Sequence, residues 1–187
     1  MNDTLKKYLP LILVFTLPYL AQAQLDDEYF VADQLLQQQQ YEKAAQKFEK
    51  LHRENPKTYI FLDKLTECLI NLKEYEQAVS VTQEAVDQGY LRTQALIRLG
   101  EIYHTSGQKE KAFGTWNQIL EKYAGSQQMH LRVARAMKER RAFDQAIEVY
   151  LKAQAMASGY NVVSTELTGN YLQAGQYENA IKEYLQL

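Results

Sequence analysis

A fixed interval of 34 residues organises this chain. Alanine recurs at that interval along most of the sequence, and the positions are Ala44, Ala78, Ala112, Ala146 and Ala180. Four successive matches at one step are not expected by chance from an abundant residue, so they indicate an internal repeat. Units this short bury their apolar side chains only by stacking against one another, which makes the repeat the strongest constraint on the fold.

Other columns share the period. Small residues stand twelve positions before each alanine, at Ala32, Thr66, Gly100, Ala134 and Thr168. Four positions after it stand Phe48, Thr82, Trp116, Tyr150 and Tyr184, aromatic in all but one unit. This pattern predicts two antiparallel helices per unit, in which a small residue of the first helix faces an aromatic residue of the second. Gly107 and Gly175 share a turn column, where a helix end tolerates positive φ.

The first 23 residues have the features of a signal peptide. Lys6 and Lys7 precede an uncharged apolar stretch at 8–20, and Ala21 and Ala23 supply small residues for cleavage before Gln24. The alternative is an uncleaved anchor, but thirteen helical residues span only about 20 Å of a ~30 Å hydrocarbon core. We therefore expect cleavage between Ala23 and Gln24, and an exported product, periplasmic or secreted, with no stable membrane insertion.

The remaining sequence carries little that predicts chemistry. Phosphate-binding, nucleophile and zinc-protease motifs are absent, and His52, His104 and His130 lack metal-ligand spacing. We expect no catalysis, cofactor or metal. The single cysteine, Cys68, lies in an apolar stretch, where a buried inert thiol is expected and an intermolecular or reactive thiol is the alternative. A net charge of −2 and a basic cluster without interleaved aromatic residues do not predict nucleic-acid binding.

The columns resemble the tetratricopeptide repeat (TPR), whose unit follows W-x2-L-G-x2-Y, then A-x3-F, then P. In the third unit Leu96 takes the Trp slot, and Leu99, Gly100, Tyr103, Ala112 and Trp116 follow the pattern. The proline that closes the pattern is kept only by Pro56. The resemblance implies an all-α fold, a right-handed α-solenoid of stacked helix pairs. The implied TPR solenoid covers 24–187, with units at 25–58, 59–92, 93–126, 127–160 and an incomplete 161–187.

By the same resemblance, the chain is expected to be a scaffold that binds a protein or peptide partner, of unknown identity, in a concave groove. With the export signal, the resemblance implies a bacterial envelope protein acting in the periplasm, in envelope assembly, secretion or export. The alternative is the N-terminal solenoid portion of a longer envelope protein with further repeats or a C-terminal effector or β-barrel domain. Ile181, Tyr184, Leu185 and Leu187 lack a following helix, so self-association through this C-terminal face is a further expectation.

The family's groove positions can be carried over to this sequence residue by residue. They place Arg98, His104, Arg132, Arg135 and Lys138 on the groove in the third and fourth units, and Asp63 and Glu67 in the second. The hypothesis is that Arg98, Arg132 and Arg135 bind an acidic segment, because a planar guanidinium holds a carboxylate with two hydrogen bonds. The alternative is a solvated face of mixed charge without a ligand.

Overall fold

In a computed structural model, the structure describes residues 24–156 and 161–185, with side chains from 163 onward in the second range. The predicted signal peptide lies outside these residues. The described residues form ten helices: α1 (24–37), α2 (Tyr41–Glu54), α3 (Tyr59–Asn71), α4 (Tyr75–Gln88), α5 (Arg92–Thr105), α6 (Lys109–Lys122), α7 (Gln127–Glu139), α8 (Phe143–Ala155), α9 (Asn161–Gln173) and α10 (Tyr177–Tyr184). No described residue belongs to a strand. None of the described helices combines the length and apolar character that crossing a bilayer requires. The predicted all-α repeat of paired helices is confirmed.

Each second helix follows its partner after a tight turn of the same geometry. The residue five positions before the repeated alanine has positive φ in every pair, and these residues are Gln39, Lys73, Gly107, Arg141 and Gly175. The left-handed conformation reverses the chain just beyond the first helix, and the following backbone N–H bonds back to that helix, as Gln108 does to the Tyr103 carbonyl at 2.8 Å. The prediction for Gly107 and Gly175 is confirmed, and the structure extends it to three residues with side chains.

The chain divides into two compact units, Met1–Glu74 and Tyr75–Leu187. In the first unit, α1 packs on both α2 and α3. The ring of Tyr29 lies 6.0 Å from the ring of Phe48 and 6.0 Å from that of Phe61, measured between centroids. Phe48 is fully buried, as its aromatic column predicts. One side chain of α1 therefore joins the two later helices into a single small core.

In the second unit, each helix from α4 to α10 packs against the next along the chain. The aromatic column supplies the centre of this core, because Trp116 and Tyr150 are fully buried on α6 and α8. Trp116 lies against Gly100 of α5 and donates a hydrogen bond from Nε1 to the Ile97 carbonyl at 3.2 Å. The predicted meeting of a small residue and an aromatic residue is thus observed between α5 and α6.

Candidate partner-binding surface

The acidic candidates lie on α3, in the first unit. Asp63 accepts a hydrogen bond from the Tyr59 hydroxyl at 3.4 Å, and Glu67 lies 3.5 Å from the Lys64 amine. Lys64 also pairs with Asp33 of α1 at 3.3 Å. Burial alone would lower the pKa of the Lys64 amine, but the charges of Glu67 and Asp33 outweigh it and raise that pKa. This part of the surface is therefore a small balanced group of charges that joins α1 to α3.

Arg98, on α5, is buried and bound within the chain. Its Nη1 donates to Glu101 Oε2 at 2.8 Å, and Arg140 Nη2 reaches the same oxygen at 3.2 Å. A guanidinium in this position is not accessible to a partner, and removing its carboxylate would leave a buried charge without that compensation. We therefore assign Arg98 to the stability of the second unit. Glu101 and Arg140 were not predicted as its partners.

Arg135, on α7, is exposed but already holds a carboxylate. Its Nε lies 2.9 and 3.1 Å from the two oxygens of Glu166 on α9, and Nη2 also donates to Oε1. Burial alone would raise the pKa of Glu166, but the hydrogen bonds and charge of Arg135 lower it below its ordinary value. This face of α7 therefore binds a carboxylate within the chain, in the two-pronged manner that suits arginine.

The Asp33–Lys64 and Arg135–Glu166 pairs occupy equivalent positions. In both, the first member lies 31 residues before the second, and the two pairs are 102 residues apart, which is three repeats. The signs of the charges are reversed between them. The sequence carried this signal, since charged residues in two columns of adjacent first helices face each other, but the sequence analysis did not use it, and Glu166 was missed.

Arg132 stands in the second of these columns, and its counterpart 31 residues earlier is Glu101. Because Glu101 is bound to Arg98 and Arg140, it does not pair with Arg132. Among the residues that the structure describes, no carboxylate lies within ion-pair distance of Arg132, which is exposed. Arg132 is thus an uncompensated guanidinium one helical turn before Arg135.

Lys138 continues the same stripe toward the end of α7. It is half-buried, and its amine lies near Gly169 of α9, where an added β-carbon would be 3.9 Å from Nζ. An open pocket of about 420 Å³ adjoins it, and the lining residues are Lys138, Glu139, Arg141, Phe143 and Gln173. Two cations, one carboxylate, one amide and one ring give this pocket a net positive charge. We call Arg132, Arg135, Lys138 and Arg141 together the α7 basic stripe.

His104 lies apart from the stripe, on α5. Its ring is half-buried, with centroids 5.9 Å from Phe113 and 6.0 Å from Trp116. Burial lowers the pKa of the imidazole, and the positive charges of Lys109 and Arg140 lower it further. His104 is therefore neutral near pH 7. Within the described part of the chain, no group of three His, Cys, Asp or Glu side chains is arranged to hold a metal ion.

Comparisons with known proteins agree with the observed repeat. A family model described as tetratricopeptide repeat matches residues 35–92, and a second model with the same description matches residues 94–126. The crystal structure of TTC0263, a thermophilic TPR protein in Thermus thermophilus, is 18% identical with a TM-score of 0.54, and the match covers 87% of this chain and 89% of that chain. MamA, from residue 41 to its end, of Desulfovibrio magneticus RS-1 is 15% identical with a TM-score of 0.49, over 87% of this chain and 92% of that chain. No curated protein sequence matches the chain. At such identities the similarity concerns the fold alone.

Proposed function

Since the chain is a tetratricopeptide repeat protein, we propose that it is a protein-interaction scaffold that holds an acidic segment of a partner on the α7 basic stripe. The observation that carries the proposal is the contrast between Arg135 and Arg132. Arg135 binds the Glu166 carboxylate through two of its nitrogens, whereas Arg132, one turn earlier, offers the same group without a carboxylate among the described residues. A carboxylate from a partner compensates Arg132 as Glu166 compensates Arg135.

The spacing of the stripe defines the segment that fits it. Arg132 and Lys138 are six residues apart on one helix, which is about 9 Å along its axis at ~1.5 Å per residue. An extended segment advances ~3.3 Å per residue, so acidic side chains about three positions apart reach both cations. The pocket beside Lys138 accommodates the second carboxylate, with the Phe143 ring as an apolar wall. The partner segment is therefore extended and carries at least two acidic residues at that spacing.

The proposed site is built for modest, salt-sensitive affinity. Arg132 is exposed and Lys138 half-buried, so each pairs with its carboxylate close to solvent, where a single ion pair contributes only about 0.2–1 kcal/mol. Such charges increase the association rate and set its dependence on ionic strength more than they increase affinity. Arg98 has no part in this site, because it is buried on Glu101.

Fluorescence anisotropy with two labelled peptides tests this function. One peptide carries glutamates three positions apart, and the other has lysines at the same places. We expect the acidic peptide alone to bind, with a dissociation constant that rises as salt is added, and about two- to fivefold on Arg132→Ala or Lys138→Ala. Lys152→Ala, which removes an exposed cation from α8, is the matched control and should bind like the wild type. Equal binding of both peptides, or unchanged binding by both stripe variants, would contradict the proposal.

We further propose that this scaffold acts outside the cytoplasm, in the bacterial periplasm, in envelope assembly, secretion or export. The support is the sequence of residues 1–23, with its basic start, apolar stretch and small residues at 21 and 23. Intact-mass measurement on protein from the periplasmic fraction tests this part separately. The expected species begins at Gln24, and full-length protein retained with the membrane would overturn it.

A further inference from the structure

A stripe of apolar side chains lies uncovered on α10. Tyr177, Ile181, Tyr184 and Leu185 are 65%, 60%, 66% and 77% exposed. They are spaced as i, i+4, i+7 and i+8, which places them on one face of the helix. Exposed apolar residues are ordinary when scattered, but a continuous helical stripe marks a surface that another element covers.

The repeat register identifies the kind of element that covers this stripe. One repeat earlier, Ile147 and Tyr150 of α8 occupy the columns of Ile181 and Tyr184, and they are only 7% and 0% exposed. Helix α9 packs on α8, and Val163 and Leu167 of α9 belong to the same core cluster as Ile147 and Tyr150. A first helix of the repeat is therefore the element that fits the stripe on a second helix.

The chain also carries a first helix with the matching column uncovered. Val31 of α1 is 44% exposed, whereas the residues at the same place in the later first helices are buried to 3% exposure or less: Leu65, Leu99, Val133 and Leu167. Its neighbour Phe30 is 62% exposed. Ala32 supplies the small residue of the packing column in α1, as Thr168 does in α9. Thus α1 presents the same kind of surface with which α9 covers α8.

We infer that copies of this chain associate head to tail, with α1 of one copy seated on α10 of the next. The contact reproduces between two chains the packing that α9 makes on α8 within one chain. Because the two surfaces differ, each copy keeps one free α1 and one free α10, so association continues beyond a dimer. This inference goes beyond the proposed function, since neither surface includes the α7 basic stripe.

Sedimentation velocity over a range of concentrations tests the inference, with purified protein whose N-terminus has been established by mass. The wild type should increase in mass with concentration and pass beyond the dimer. Val31→Glu blocks only the α1 surface and Tyr184→Glu only the α10 surface, so each should weaken association at least tenfold by itself. Leu172→Glu, at an exposed leucine of α9 outside both surfaces, is the control and should associate like the wild type.

Mixing the two variants distinguishes this arrangement from a symmetric one. The Val31→Glu copy keeps its α10 surface and the Tyr184→Glu copy keeps its α1 surface, so an equimolar mixture should form a dimer and nothing larger. Circular dichroism establishes that the variants are folded, and Val31→Ser serves if the glutamate disturbs α1. A wild type that stays monomeric at every concentration would overturn the inference. So would normal association by the Val31 variants, which would indicate that α10 pairs with α10 of another copy.

Discussion

The indole of Trp116 lies directly on the backbone at Gly100. A β-carbon added at Gly100 would stand 2.6 Å from Trp116 Cε2, well inside van der Waals contact. In this position Trp116 is fully buried and its Nε1 donates to the Ile97 carbonyl at 3.2 Å. The absence of a side chain at residue 100 is thus what lets α5 and α6 close on each other.

We predict that Gly100→Ala destabilises the protein by about 1–3 kcal/mol, the usual cost of overpacking a core. Gly114→Ala is the matched control, because Gly114 lies within α6, and its added β-carbon meets no atom within 4 Å. The control should gain about 0.5–1 kcal/mol from helix propensity. Trp116 is the only tryptophan of the chain, so its fluorescence reports the displacement directly during denaturant unfolding. Equal stability changes of the same sign in both variants would contradict the close approach.

The shared turn geometry makes a second prediction. Gln39 adopts φ 58° in the column where Gly107 and Gly175 stand, and the left-handed conformation costs a residue with a side chain roughly 1 kcal/mol. Gln39→Gly should therefore raise the free energy of unfolding by up to about 1 kcal/mol. Gln38→Gly, one position earlier and without positive φ, should lower it. Denaturant titration of the two variants decides, and a loss of stability in both would be inconsistent with the described turn.

The Arg135–Glu166 pair predicts how stability depends on pH. The pKa of Glu166 is lowered in the folded protein, so between that value and 4.5 the unfolded chain binds more protons than the folded one. The stabilisation is complete above pH 4.5 and is lost as the pH falls through the folded pKa. Unfolding titrations from pH 7 to pH 3 should therefore show that Glu166→Gln is less stable than the wild type at neutral pH and nearly equal to it at the acid end. Glu148→Gln, an exposed change on α8, is the control. A constant difference between wild type and Glu166→Gln at all pH values would argue against the pair.

The buried thiol of Cys68 predicts slow chemistry in the folded state. Burial raises the pKa of this thiol to about 11, and the charge of Glu67 adds to the effect. At pH 8 little thiolate is present and the sulfur is enclosed, so a thiol reagent should react at least a hundredfold more slowly with native protein than with unfolded protein. Ellman's reagent with and without denaturant measures the ratio. Equal rates under both conditions would show that Cys68 is accessible.

The sequence predicted what depends on the period. The helix pairs, the turn at Gly107 and the meeting of Gly100 with Trp116 all depend on spacing and residue size, which recur in every unit and are therefore visible in one chain. The charged surface was harder to predict. Arg98 and Arg132 stand in the same column, yet one is buried and the other exposed. The difference arises because Arg140, 39 residues beyond Glu101, shares that carboxylate with Arg98, and no repeat interval connects those two positions.

Site-specific photo-crosslinking in cells tests the central claim most directly. A photoreactive residue at Gln128, exposed on α7 one turn before Arg132, samples the proposed binding surface, and one at Glu148 samples the exposed side of α8. The proposal predicts that irradiation yields a partner adduct from position 128, that Arg132→Glu with Lys138→Glu abolishes it, and that position 148 yields none. An adduct from position 148 alone, or one from position 128 that persists in the double variant, would contradict binding at the α7 basic stripe.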